Sequence, residues 1–212
     1  MANDQKQFWN NRHELASPAH VLANGEVTAF ALEVQSVISP QSVMLEIGCG
    51  VGNDSLYFAS KGHTVVSTDL SEVAIKKNKI RNNADNVTFQ VLDISRPTPF
   101  EAMKFDVIYA RLSLHYFSDK VTKQIFKELS RVLKPGGYLC FLCKSVDDTS
   151  YGKGVELEKD MFEDAGHVRH FFSEKYALEC LGKDFAVELL QKGEEHFYTR
   201  DSAYVKVIAK RV

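Results

Sequence analysis

Apolar runs of strand length and amphipathic stretches of helical spacing take turns along most of this chain. Val43–Ile47, Thr64–Thr68, Val87–Leu92, Phe105–Ala110 and Tyr138–Cys143 are short apolar runs with strand composition. Between them, Ser55–Lys61, Ser71–Asn82 and Asp119–Leu133 have helix-compatible spacing. Gly62 stops the first helix, Ser71 opens the second, and Lys134-Pro135-Gly136-Gly137 ends the third sharply. Upstream, Glu26–Ile38 gives an amphipathic helix that ends before Ser39-Pro40 and leads into the first strand. Downstream, Ser173–Leu181 reads as a helix, and Phe185–Lys192 and Ala203–Ala209 read as two final strands. Ser145–Phe172 is the least regular stretch. Phe8-Trp9-Asn10-Asn11-Arg12-His13 opens the structured part, and Pro18 interrupts it.

Composition narrows this without changing it. A length of 212 residues suits one well-cored domain, and 44% hydrophobic with 25% charged residues is ordinary for a globular protein. A net charge of −2 gives no global pull towards nucleic acid or anionic membrane. Lys76, Lys77, Lys79 and Arg81 crowd the end of one helix without interleaved aromatics, so they read as a solvated, dipole-favoured helix end. No apolar run approaches 18 residues and Met1–Asn11 is polar, which makes a cytoplasmic protein the expectation. Four cysteines do not make a disulfide framework. Cys140 and Cys143 sit in one strand, where an offset of three points them to opposite faces, so they are expected in the core rather than on a metal. His167 and His170 are spaced H-x-x-H with no further ligand evident, and no metal is expected.

The chemistry concentrates in Val43–Asp69. After the strand Val43–Ile47, Gly48, Gly50 and Gly52 come at every second position, Asn53 and Asp54 follow as helix-cap types, and the next strand runs into Asp69. Strand, glycine turn, helix, strand and acid form the front half of a nucleotide-binding unit. Glycines let the backbone turn sharply and lie against a ligand, and the free N–H groups of the turn face acceptor atoms. A carboxylate at Asp69 is placed to accept from both hydroxyls of a ribose. The dinucleotide spacing G-x-G-x-x-G would need glycine at position 53, where this chain has Asn53, and Glu46 precedes the glycines.

Glu46-x-Gly48-x-Gly50-x-Gly52 resembles the first motif of the class I S-adenosylmethionine-dependent methyltransferases. Asp93 with Ile94, the loop Leu112-Ser113-Leu114-His115-Tyr116-Phe117 and Arg131-Val132-Leu133-Lys134-Pro135-Gly136-Gly137 match later family motifs in order, over Val43–Cys143. The loop is similar to that of small-molecule and tellurite-resistance-type methyltransferases. It lacks the N-P-P-Y type tetrad of enzymes acting on base amino groups, having Ala110-Arg111-Leu112-Ser113 there, so the resemblance weighs against base-amino methylation and a nucleic-acid partner is not expected.

The resemblance implies one α/β Rossmann-like domain over residues 1–212. Its seven-stranded, mostly parallel sheet would have the last strand antiparallel and helices on both faces. Residues 1–40 would form a helical lid segment, 43–143 the cofactor-binding core and 145–172 a substrate-specificity insertion. The implied cofactor is S-adenosyl-L-methionine, held by Glu46, Gly48, Cys49, Gly50, Gly52, Asp54, Asp69, Leu70, Asp93, Ile94 and Arg111. The implied reaction is in-line methyl transfer to a small-molecule acceptor, with His115 as the candidate for removing a proton. Trp9, Arg12, Tyr116, Tyr151, Arg169 and His170 are the candidate substrate contacts. A non-catalytic cofactor-binding or regulatory module, a tRNA or protein methyltransferase and a nicotinamide-dependent oxidoreductase remain as alternatives.

Overall fold

A computed structural model describes residues 2–15, 26–82, 84–197 and 200–212. Pro18 lies outside the described residues, as does the stretch of the expected lid from 16 to 25. The sheet order is β3-β2-β1-β4-β5-β10-β9. Its parallel half comprises β1 (Val43–Ile47), β2 (Thr64–Asp69), β3 (Val87–Val91), β4 (Phe105–Arg111) and β5 (Leu133–Lys144). Strand β10 (Arg200–Arg211) runs antiparallel between β5 and β9 (Phe185–Phe197), so the final strand is slotted into the sheet against its grain, as expected.

Alternation along the strands gives the sheet two separate cores, because successive side chains leave on opposite faces. Leu45, Ile108, Phe141 and Cys143 pack on α5 (Asp119–Val132) and α6 (Glu174–Leu181) through Phe126, Leu129 and Leu181. Met44, Tyr109, Cys140 and Leu142 face α2 (Ala29–Val37), α3 (Asn53–Ser60) and α4 (Glu72–Arg81) through Phe30, Val34, Phe58 and Ile75. Cys140 and Cys143 thus fall in different cores, and burial pushes both thiols up.

Strand β5 starts at Leu133, ahead of the expected Tyr138, and two later segments depart further from the expected boundaries. Within 145–172 the chain builds a small antiparallel sheet of β6 (Val155–Glu158), β7 (Met161–Asp164) and β8 (His167–His170). The β7–β8 turn puts Ala165 at φ 51° and Gly166 at φ 77°, the positive-φ pair that a tight hairpin needs. This sheet returns to the main one where Ser145 bridges Phe172, and the Phe172 N–H donates to the Lys144 carbonyl at 2.8 Å. The terminal hairpin also outruns the expected ends at Lys192 and Ala203, pairing out to Phe197 and Arg200. Gly193 faces Tyr204, and a Cβ there would lie 2.5 Å from the Tyr204 hydroxyl, so the glycine makes room for that ring.

Candidate cofactor and acceptor site

The site forms at the carboxyl ends of β1, β2 and β4, next to the point where the strand order reverses. Gly48 and Cys49 leave β1 with both N–H groups on the Thr68 carbonyl, at 2.8 and 2.9 Å. Gly48 has φ +74°, and a Cβ on it would stand 2.4 Å from Ser113 Cβ in the loop after β4. Gly52 caps α3 in the left-handed region, closely backed by Phe89 and Asn78. Asn78 donates to the Gly50 carbonyl at 2.8 Å and holds the turn from α4. Cys49 is buried under it as a filler.

Acid groups collect below this turn. Glu46 is buried and accepts from Ser55 Oγ. Burial first, and then Asp54 and Asp69, push its carboxyl up to about 8 against that hydrogen bond. Asp69 accepts from the Gly50 N–H and the Ser71 N–H, each at 2.8 Å. Burial raises its pKa against those hydrogen bonds and the pull of His13. Leu70 lies half-buried between Asp69 and Ser71. Two buried carboxyl groups beside a glycine turn suit a ligand that offers an ammonium, a sulfonium and ribose hydroxyls. The residues present therefore fit S-adenosylmethionine.

Helix α1 (Ala2–Leu15) lies across this end of the sheet. Asn10 Oδ1 accepts from Ser71 Oγ at 2.9 Å, Lys77 donates to the His13 carbonyl, and Lys6 pairs with Glu72. The His13 ring sits 3.8 Å from where a Gly50 Cβ would be. His13 escaped the sequence reading, although it falls four residues after Trp9 on one helix face. A cavity of about 220 Å³ remains between His13, Gly50, Lys77 and Asn78.

Several expected site residues prove to have structural duties. Asp54 was expected on the cofactor. Instead its carboxylate accepts from the Thr28 N–H at 2.9 Å, and from Thr28 Oγ1 and Tyr109 Oη at 2.8 Å each, tying α2 to α3 and β4. Asp93 caps its own turn, accepting from the Ser95 N–H and Oγ and facing Arg96 at 3.2 Å, while Ile94 packs in the core. Arg111 meets Glu195 of β9 at 3.3 Å, in the part of the hairpin the sequence reading did not include. Tyr151 packs on Phe162 and Phe171 and donates to Asp160 at 2.8 Å. His170 is buried with Nδ1 3.0 Å from the Phe117 carbonyl, and Arg12 is exposed.

His115, the candidate for removing a proton, is fully buried in the loop after β4, and burial holds its pKa well below the usual imidazole value. A base weakened in this way and shut from solvent is poorly suited to removing protons at neutral pH. The preceding Leu112 has φ +54°, unusual for a non-glycine residue, at the turn out of β4. Trp9, Tyr116 and Arg169 do come together, joined by His167. The offset of three between His167 and His170 sends them to opposite faces of β8, which the spacing alone could have indicated.

Residues 45–141 match the family model for a methyltransferase domain. Over that segment, somewhat less than half of its length, the chain is similar to methyltransferases. A curated relative, an uncharacterised methyltransferase of Synechocystis, is 35% identical over 114 residues, covering 53% of this chain and 52% of the relative. A ubiquinone biosynthesis O-methyltransferase of Coxiella burnetii is 30% identical over 141 residues, covering 66% and 58%. The chain thus spans little more than half the length of either. A solved structure of a methyltransferase from Methanosarcina mazei shares the fold at a TM-score of 0.74 and 23% identity, over 88% of this chain and 99% of that one. Among the described residues no helix is long and apolar enough to cross a membrane.

Proposed function

We propose that this protein transfers a methyl group from S-adenosylmethionine to a small-molecule acceptor by in-line displacement. The observation that carries the reading is the pair of buried carboxyl groups, Glu46 and Asp69, against the glycine turn within the segment that matches the methyltransferase domain. Asp69 would hold the ribose hydroxyls with its remaining lone pairs, and Glu46 would face the cationic end. When bound, the cofactor supplies a methyl carbon made electrophilic by its sulfonium. The chain's own work is to orient the acceptor and exclude water, and orientation of that kind accounts for about 7–11 kcal/mol of a barrier. Helix α1 serves as the lid, hinging away from Ser71, Lys77 and Tyr116 to admit ligands and closing His13 and Trp9 over them. The expectation of a cytoplasmic location remains part of this reading.

The burial of His115 favours a second reading, a cofactor-binding module without turnover, since it withdraws the one expected proton acceptor. Soft or already ionised acceptors need no such base, which is why the enzyme reading is preferred. S-adenosylhomocysteine should raise the melting temperature and NAD should not. Asp69→Ala should weaken S-adenosylhomocysteine binding by about 1.5–3 kcal/mol, the range for a charge-assisted hydrogen bond. Formation of S-adenosylhomocysteine across a panel of small acceptors then separates enzyme from binder. Stabilisation by NAD alone would overturn the proposal.

A further inference from the structure

Rings from three separate segments meet beside the loop after β4. Trp9 of α1 lies edge-on to Tyr116 at 5.2 Å and to His167 of β8 at 5.6 Å. Tyr116 and His167 stack at 5.4 Å with 17° between their planes. Arg169, two residues along β8 and so on the same face as His167, reaches His167 Nδ1 at 2.7 Å. His115 sits against Tyr116 with ring centroids 4.4 Å apart.

Several polar groups buried in this corner are short of partners. Neither ring nitrogen of His115 has a hydrogen-bond partner among the described residues, and Ser113 Oγ is likewise buried without one. Buried polar atoms left without partners are uncommon, and each asks for a ligand, a water or another explanation. The charges acting on His115 are Lys144, Arg169 and His167 of one sign, against Asp148 of the other. Asp148 is already engaged, since Lys144 Nζ donates to it at 2.8 Å and to Ser202 Oγ at 2.6 Å. That pair neutralises itself, so Arg169 is the guanidinium beside His115; flat walls, the unpartnered His115 nitrogens and Ser113 Oγ, and that guanidinium suit the recognition of a flat anion.

We propose that this corner is the acceptor subsite and that it takes a planar aromatic anion, a ring bearing a carboxylate or an ionised phenol. The ring parts Trp9 from Tyr116 and His167 and stacks between them. The anionic group lies towards Arg169, with His115 donating from below in the tautomer the ligand selects. This assignment rests on the methyl-transfer reading and adds to it the chemical class of the acceptor.

Trp9 is the only tryptophan, so its fluorescence reports directly on this corner. With S-adenosylhomocysteine bound, benzoate and 4-hydroxybenzoate should change the emission saturably, with dissociation constants of about 1 mM, as befits ligands of so few atoms. Benzylamine and cyclohexanecarboxylate should bind at least about tenfold more weakly, the first lacking the negative charge and the second the flat ring. Calorimetry should give the same order, and Arg169→Gln should weaken benzoate about tenfold while leaving S-adenosylhomocysteine affinity unchanged. A protein that binds S-adenosylhomocysteine but takes benzylamine as well as benzoate overturns this inference alone. So does one that shows no saturable response to any probe, or an Arg169→Gln variant that binds benzoate as wild type does. Failure to bind S-adenosylhomocysteine at all would remove the methyl-transfer reading and this inference with it.

Discussion

Glu46→Gln isolates the strongest electrostatic feature of the site. In the folded chain the carboxyl is lifted from an ordinary value of 4.5 to about 8, chiefly by burial. A folded pKa above the unfolded one means that the folded state keeps a proton the unfolded state has released. Stability is therefore fully present below about pH 4.5 and falls as pH rises towards 8. One pKa unit corresponds to about 1.4 kcal/mol, so the slope approaches ~1.4 kcal/mol per pH unit, and the whole window amounts to at most ~5 kcal/mol. Asp54 and Asp69 share in the titration, which spreads it and lowers the share that Glu46 alone carries. Glutamine keeps an oxygen to accept from Ser55 Oγ and does not titrate. Urea unfolding of the ligand-free protein should show the two forms close together at about pH 5. At about pH 8 the variant should be more stable by ~2–4 kcal/mol. Parallel pH profiles would refute the argument, because they would mean that Glu46 ionises in the folded state as freely as in the unfolded one.

Asp54→Ala should cost about 2–4 kcal/mol of stability, because it strands the buried Thr28 N–H and leaves the Thr28 and Tyr109 hydroxyls, 3.1 Å apart, only each other to donate to. Denaturant midpoints measure this, and a loss below ~1 kcal/mol would deny the network its weight. His115→Asn should keep kcat within about tenfold and raise the acceptor KM, since a buried neutral imidazole acts as a hydrogen-bonding group. A fall in kcat of roughly 10²–10⁴ would instead restore a proton-transfer role.

The glycine turn and the parallel strands were legible because their rules are local. Each strand is a short apolar run, and Glu46, Gly48, Gly50, Gly52 and Asp69 hold fixed places around one turn. The opposed faces of Cys140 and Cys143 followed from strand period alone. What escaped depends on contacts distant in sequence. Asp54 has the composition of a helix cap, but its partners lie 26 and 55 residues away on Thr28 and Tyr109. His115 looked accessible because its loop follows a strand end, and only the return of β8, whose His170 N–H donates to the His115 carbonyl at 2.9 Å, shuts it in. The small sheet in 155–170 was unreadable because its strands are four residues each and rich in charge, so their pairing leaves little hydrophobic signal.

That small sheet leaves and re-enters the main fold at almost one point, since Ser145 and Phe172 are bridged to each other. A segment with adjoining ends behaves as a cassette. It can lengthen, shorten or be exchanged while β5 and α6 keep their positions, because the distance it must span does not change. His167 and Arg169 ride on this cassette, whereas the glycine turn, Glu46 and Asp69 belong to the frame. On the function proposed above, what the protein accepts and what it uses to modify it would thus be governed by separate stretches of chain, which meet at that bridge and where the His170 N–H donates to the His115 carbonyl.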